Sequence, residues 1–182
     1  MLTVNASEVF RRCDAFELST CIRINRWSQR QAVRQLFATI SWLGNGIFWY
    51  VLILSLPFIY ADPGLRLTLQ FSVTGFIGVR LYKWMKQRWV RERPYISHLG
   101  IRAGVAPLDR YSFPSGHTLH AVCFAILFSV YVPALAWVVM PFALLVALSR
   151  VVLGMHYPSD VAVGAALGAT LAGISINLAG MA

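Results

Sequence analysis

Acidic residues are scarce in this chain. Seven Asp and Glu stand against 16 Lys and Arg in 182 residues, giving a formal net charge of +9, and only 13% of residues are charged at all. A chain this apolar, 58% hydrophobic with a mean hydropathy of +0.62, is excluded from the ordinary soluble domains and reads as an integral membrane protein. Cysteine is equally sparse. Cys13, Cys21 and Cys123 are odd in number and spaced for neither a disulfide framework nor a metal site, so they read as small apolar residues. The shortage of carboxylates leaves no cluster suited to Mg²⁺, and no metal or other cofactor is expected. Nor does the basic excess mark a nucleic-acid surface, because no interleaved aromatics accompany it. The cations instead lie beside apolar runs, where they meet lipid headgroups and phosphorylated lipid. No short basic region followed by an apolar core opens the chain, so no cleavable signal peptide is expected.

What is present is helical periodicity. Asn5 and Glu8 have the spacing of a capping box, and Val9, Phe10, Cys13, Phe16, Cys21 and Ile24 recur at a helical period, with arginines on the other faces. Residues 1–36 therefore predict an amphipathic basic helix, suited to lying on a bilayer or packing on the rest of the protein. Residues 37–182 predict a membrane-embedded domain. Its first crossing is the uncharged run Phe37 to Ala61, ended by the turn signal Asp62-Pro63-Gly64. A second runs from about Leu65 to Trp84, with Gln70, Thr74 and Arg80 facing protein or water. Lys83 to Arg110 is a long polar segment broken by Pro94, Gly100, Gly104 and Pro107, and loops of that length in compact proteins are usually functional. Two more spans, Ser115 to Val132 and Ala134 to Leu153, are divided at Pro133. A fifth from Val161 to Leu178 carries Gly164 and Gly168 at a spacing for close helix packing. The fold class is thus all-α, a polytopic bundle of about five transmembrane helices.

Three groups of polar residues are out of place in so apolar a chain. Lys86 precedes Arg93-Pro94, at the end of the second span. Pro114-Ser115-Gly116-His117 opens the third, where Ser115 can cap and the helix N-terminus offers N–H groups to an anion. Ser149-Arg150 ends the fourth span, with His156 and Asp160 following. Alternating crossings put all three groups on one membrane face. The residue types suit phosphoryl transfer: Lys86, Arg93 and Arg150 for phosphate oxygens, with hydrogen bonds from Ser115 and the backbone at Gly116. One histidine can be a nucleophile if a carboxylate holds its other nitrogen, and Asp160 is placed to do that for His156. The other, His117, can protonate the leaving alkoxide. His120, one turn beyond His117, is expected to be packing, and His98 and Asp109 to be loop residues.

Lys86-x6-Arg93-Pro94, Pro114-Ser115-Gly116-His117 and Ser149-Arg150-x5-His156-x3-Asp160 occur complete and in order. The set closely resembles the type 2 phosphatidic acid phosphatase superfamily. That resemblance implies a membrane phosphatase for a lipid phosphate or diphosphate such as undecaprenyl diphosphate, phosphatidic acid or phosphatidylglycerophosphate. It implies His156 as the nucleophile forming a phosphohistidine, Asp160 as its orienting partner, and His117 as the acid and later the base. Lys86, Arg93, Ser115, Gly116, His117 and Arg150 would hold the phosphoryl group without a metal. The rivals are a lipid phosphotransferase, an oxidative enzyme on the same motifs as in vanadium haloperoxidases, which are soluble, and a lipid-binding protein with a dead site. The implied location is a bacterial inner membrane, with membrane lipids as partners and an oligomeric state that the residues leave open. An odd number of crossings puts the N-terminus on the side of the site. Six Lys and Arg precede the first span, eight lie from Arg80 to Arg110, and Arg150 joins them, leaving Arg66 alone on the other side. The positive-inside rule makes the site side cytoplasmic, whereas many bacterial relatives act on the outer face.

Overall fold

The computed structural model describes residues 6–106 and 109–180, with side chains from Cys13 onward. The expected Asn5–Glu8 capping box falls outside them. Among the described residues the architecture is helical, with a lone antiparallel bridge between Glu92 and Tyr111 as the one strand-like contact. The helices are α1 (Ala6–Asn25), α2 (Gln31–Trp42), α3 (Phe48–Arg88), the single turn α4 (Pro94–Ser97), α5 (Gly116–Tyr131), α6 (Ala136–Val152) and α7 (Pro158–Gly180).

Helix α3 is two antiparallel arms. The chain reverses at Ala61 (φ 48°, ψ −126°), one residue before the expected Asp62-Pro63-Gly64 turn. Beyond the turn Gly64 lies so close to the first arm that a Cβ there would sit 2.1 Å from the Leu56 carbonyl oxygen. Pro57 sits inside the first arm and has no N–H for the carbonyl of Ile53, four residues back. That carbonyl is satisfied from the second arm, by the Thr68 hydroxyl at 2.9 Å. In a bilayer an orphaned carbonyl is costly, so the proline and the threonine belong together.

Among the described residues three stretches are long and apolar enough to cross a membrane: Gln31–Arg88, Pro133–Val152 and Pro158–Gly180, with Gly116–Tyr131 a shorter apolar helix. Since the first of these contains the reversal, the bundle has the five-part layout read from hydropathy. Phe37 to Ala61 is not one straight helix, because a π-helical turn at Leu43–Ile47, with Gly46 at φ 132°, separates α2 from α3. The polar segment is also shorter than expected, since the second arm stays helical to Arg88.

Small residues bring α7 against α5, as the Gly164/Gly168 spacing predicts. A Cβ on Gly164 would lie 2.6 Å from the Ser115 carbonyl oxygen, and one on Gly168 2.3 Å from that of Leu119. Lipid offers little hydrophobic drive for helix association, so such close approach and shared polar contacts hold the bundle. Gln70 accordingly donates to Tyr131 Oη (2.9 Å) and Ser175 Oγ (3.0 Å), and Thr74 to Ser175 Oγ (2.9 Å). These two polar residues face protein, while Arg80 is exposed. Trp49, Phe71, Phe124 and Phe128 fill the core between the arms and α5.

Candidate active site

The ends of the second α3 arm and α6 and the starts of α5 and α7 meet on one face, where Ser115 N–H donates to the Asp160 carbonyl at 3.1 Å. They bound a cavity of about 810 Å³. Lys86, Arg93, Gly116, His117, Arg150 and His156 line its polar end. Its other wall is apolar, with Trp49, Ile53, Leu54, Phe76 and Phe124. Leu54 and Phe76 are largely exposed on the outside of the bundle, so the apolar end opens sideways toward lipid.

Two of the eight expected residues do not line this space. Ser115 is fully buried and acts as the α5 N-cap, its Oγ accepting from Thr118 N–H (3.4 Å) and sharing a hydrogen bond with Thr118 Oγ1 (2.9 Å). Asp160 lies behind His156, with Oδ2 3.6 Å from His156 Nδ1. Gly116 needs its missing side chain, since a Cβ would press on the Tyr82 ring at 3.3 Å.

The tautomer of His156 follows from its neighbours. Arg93 Nη1 points at Nε2 from 3.4 Å, and a guanidinium only donates. Nε2 therefore carries the lone pair, directed at Arg93 on the cavity wall, and the proton of the neutral ring sits on Nδ1, facing Asp160. Burial pushes the His156 imidazole well below its ordinary value, and the charges of Arg150, Arg93 and Lys86 push the same way. A neutral ring with an inward lone pair has the form of a nucleophile.

The cations are braced. Arg93 donates to the Asp109 carbonyl (2.8 Å), to Asp109 Oδ1 (2.7 Å) and to the Met155 carbonyl (2.9 Å). Lys86 Nζ reaches both Asp109 oxygens at 2.8 Å and the Tyr111 carbonyl at 3.0 Å. Buried Arg150 donates through Nη1 to Ser41 of α2, while its Nε has no partner among the described residues. His120 behaves as packing, its ring nitrogens facing the carbonyls of Gly116 (2.8 Å) and Gly75 (3.2 Å), although it also touches the cavity. Sequence reasoning missed Asp109 and Ser41. Only the rarity of acids flags Asp109, and nothing flags Ser41.

A family model described as the PAP2 superfamily matches residues 65–182. The chain belongs to the PAP2 superfamily. Its matched part begins within α3, so α1, α2 and the first arm lie outside it. Decaprenylphosphoryl-5-phosphoribose phosphatase of Mycobacterium tuberculosis is 41% identical over 92 residues, 50% of this chain and 49% of the relative. Undecaprenyl-diphosphatase BcrC of Bacillus subtilis is 27% identical over 113 residues, 62% of this chain and 58% of the relative. The PAP2 chain thus spans about half the length of the mycobacterial relatives it matches. Among solved structures, Aquifex aeolicus LpxE shares the fold at a TM-score of 0.77 and 24% identity, over 89% of this chain and 95% of that one. The PAP2-type phosphatidylglycerolphosphate phosphatase of Bacillus subtilis superposes at 0.66 with 25% identity, over 90% and 86%. The PAP2 chain is an integral membrane protein of that helical architecture.

Proposed function

We propose that the protein is a phosphatase for a lipid phosphate, with a polyprenyl phosphate or diphosphate as the substrate class. The observation that carries this reading is the two-ended cavity: Lys86, Arg93 and Arg150 with His117 and His156 at one end, an apolar wall open to lipid at the other. The named relatives supply the polyprenyl preference, since both act on such lipids. Arg93, Arg150 and Lys86 hold the phosphoryl oxygens, helped by the backbone at Gly116. Ser115 contributes by fixing the helix start. His156 Nε2 attacks phosphorus as the bond to the lipid oxygen breaks, and His117 gives that oxygen a proton. Water then attacks the phosphohistidine, His117 takes its proton, and phosphate leaves. Asp160 stabilises the imidazolium formed on the way.

The basic helix α1 lies along the interface, with Phe16 exposed on it and Trp27 exposed in the turn that follows. A bacterial inner membrane is the setting this implies.

Phosphate release from purified protein, given a panel of lipid monophosphates and diphosphates, tests the proposal. His156→Ala should abolish turnover, vanadate should inhibit, and chelator should change nothing. Loss of activity in EDTA restored by Mg²⁺ would refute the metal-independent route. His117→Ala should cost ~10²–10⁴-fold on natural lipids and far less on p-nitrophenyl phosphate. Equal damage to both would confine His117 to phosphate binding.

A further inference from the structure

Arg91 is not part of any motif read above, yet it is one of the most deeply buried side chains, 2% exposed. Its Nη1 meets Asp160 Oδ1 at 2.5 Å and Ser159 Oγ at 2.7 Å. Its Nε and Nη2 meet Asp14 Oδ1 at 2.8 and 2.6 Å, and Nη2 also reaches Glu17 Oε2 at 3.0 Å. The guanidinium carbon lies 4.0 Å above the Tyr157 ring centre. Glu17 in turn accepts from Ser159 N–H and Oγ, both at 2.8 Å, at the first turn of α7. Helix α1, outside the family match, is thereby tied to the residue beside His156.

We infer that Arg91, clamped by Asp14 and Glu17 of α1, is a positioning residue that aims Asp160 at His156, making the N-terminal helix part of the working site. The inference rests on the phosphatase reading for its effect on turnover. Asp160 has two oxygens with separate duties. Oδ1 is held by Arg91, while Oδ2 accepts Tyr157 N–H at 2.9 Å and faces His156 Nδ1. Fixed at both ends, the carboxylate keeps its orientation when the imidazolium forms. The α1 acids have a second effect. Alone, Arg91 would be a full counter-ion to Asp160 and would compete with the imidazolium for it. Asp14 and Glu17 divide that positive charge among three carboxylates, which leaves Asp160 free to answer the histidine.

The test compares wild type, Arg91→Lys and the double variant Asp14→Asn/Glu17→Gln, full-length in detergent. Lys cannot reproduce a fork shared among three acids. Supporting-shell changes of this kind cost about 10–100-fold, so kcat should fall by that factor in Arg91→Lys and by about 10-fold in the double variant. The vanadate inhibition constant, which reports the phosphate pocket, should stay within about twofold, and the melting temperature should hold. In ¹⁵N spectra of histidine-labelled protein, with the His156 signal assigned by its loss in His156→Ala, the Nδ1 resonance should shift in both variants. Unchanged kcat and an unmoved Nδ1 signal would overturn the inference. So would a parallel loss of kcat, vanadate affinity and melting temperature, which marks a merely structural cluster. A wild type that releases no phosphate would defeat the phosphatase reading alone, and the spectra would still decide whether Arg91 orients His156 through Asp160.

Discussion

Asp109 sits among the residues proposed to hold phosphate. Its carboxylate bridges Lys86 and Arg93, two of the three cations that line the polar end of the cavity. Burial alone would raise its pKa, but the hydrogen bond and charge of Lys86, then those of Arg93, outweigh this and hold it below the ordinary 3.8. A carboxyl depressed in the folded state contributes its ion pairs above its unfolded pKa and loses them only as pH falls through the folded value. Through neutral pH the bridge is therefore intact, and a phosphate bound by Lys86 and Arg93 as proposed would displace it. The side chain is 41% exposed, so solvent weakens the pair to roughly 1 kcal/mol. Asp109→Asn should accordingly lower KM and the vanadate inhibition constant about fivefold, and the gain should persist from about pH 5 to 8, where the wild-type carboxylate is already ionised. Steady-state kinetics across that window check it. A rise in KM would show instead that Asp109 steadies the cations while substrate is bound. The sequence did make the groups that line the polar end of the cavity visible, because Lys86, Arg93, Arg150 and the two histidines are anomalous in so apolar a chain. Asp109, Ser41 and Arg91 were not visible, since a partner's identity depends on how helices distant in sequence come together.

Elements were legible where the bilayer dictates them and illegible where packing does. Long uncharged runs and the Asp62-Pro63-Gly64 signal forecast the reversal at Ala61 to within a residue. Gly46, by contrast, divides an apolar run that hydropathy reads as continuous, and only its positive φ in the folded chain reveals the break. The docking of α1 was hidden for a related reason: its amphipathic pattern fits a membrane surface and a protein surface equally. The α5–α7 seam supports a matched prediction. At Gly168 an added Cβ meets backbone on α5, whereas at Gly173 it meets nothing within 4 Å. Gly168→Ala should therefore force the helices apart and cost about 1–3 kcal/mol. Gly173→Ala should be neutral or stabilising by up to ~1 kcal/mol, because alanine is the better helix former. Thermal unfolding of both variants in the same detergent separates the two effects. Equal melting temperatures would mean that the seam is looser than its glycines imply.

Four of the seven acids of this basic chain cluster together. Asp14, Glu17, Asp109 and Asp160 gather around Arg91, Arg93 and Lys86 on one face of the bundle, and that face also carries α1, through the Glu17–Ser159 contacts. The N-terminal helix and the site therefore share a side of the membrane. The C-terminal end of α7, 23 residues on, lies some 34 Å along the helix at 1.5 Å per residue, enough to reach the opposite side. Segments on the site side hold 15 of the 16 Lys and Arg, and setting aside Lys86, Arg93 and Arg150 as required by the site still leaves 12 against Arg66. By the positive-inside rule we propose that side as the cytoplasmic one. Single cysteines at Leu99→Cys, exposed in the loop of the site face, and at Gly180→Cys, exposed at the end of α7, put this to the test. Cys13, Cys21 and Cys123 are first replaced by serine or alanine. An impermeant maleimide added to intact cells should label Gly180→Cys and spare Leu99→Cys until the membrane is opened. The reverse pattern would turn the site outward while keeping the five-part bundle. Labelling of both, or of neither, would break the odd number of crossings, and with it the shared side of α1 and the cavity opposite the C-terminus.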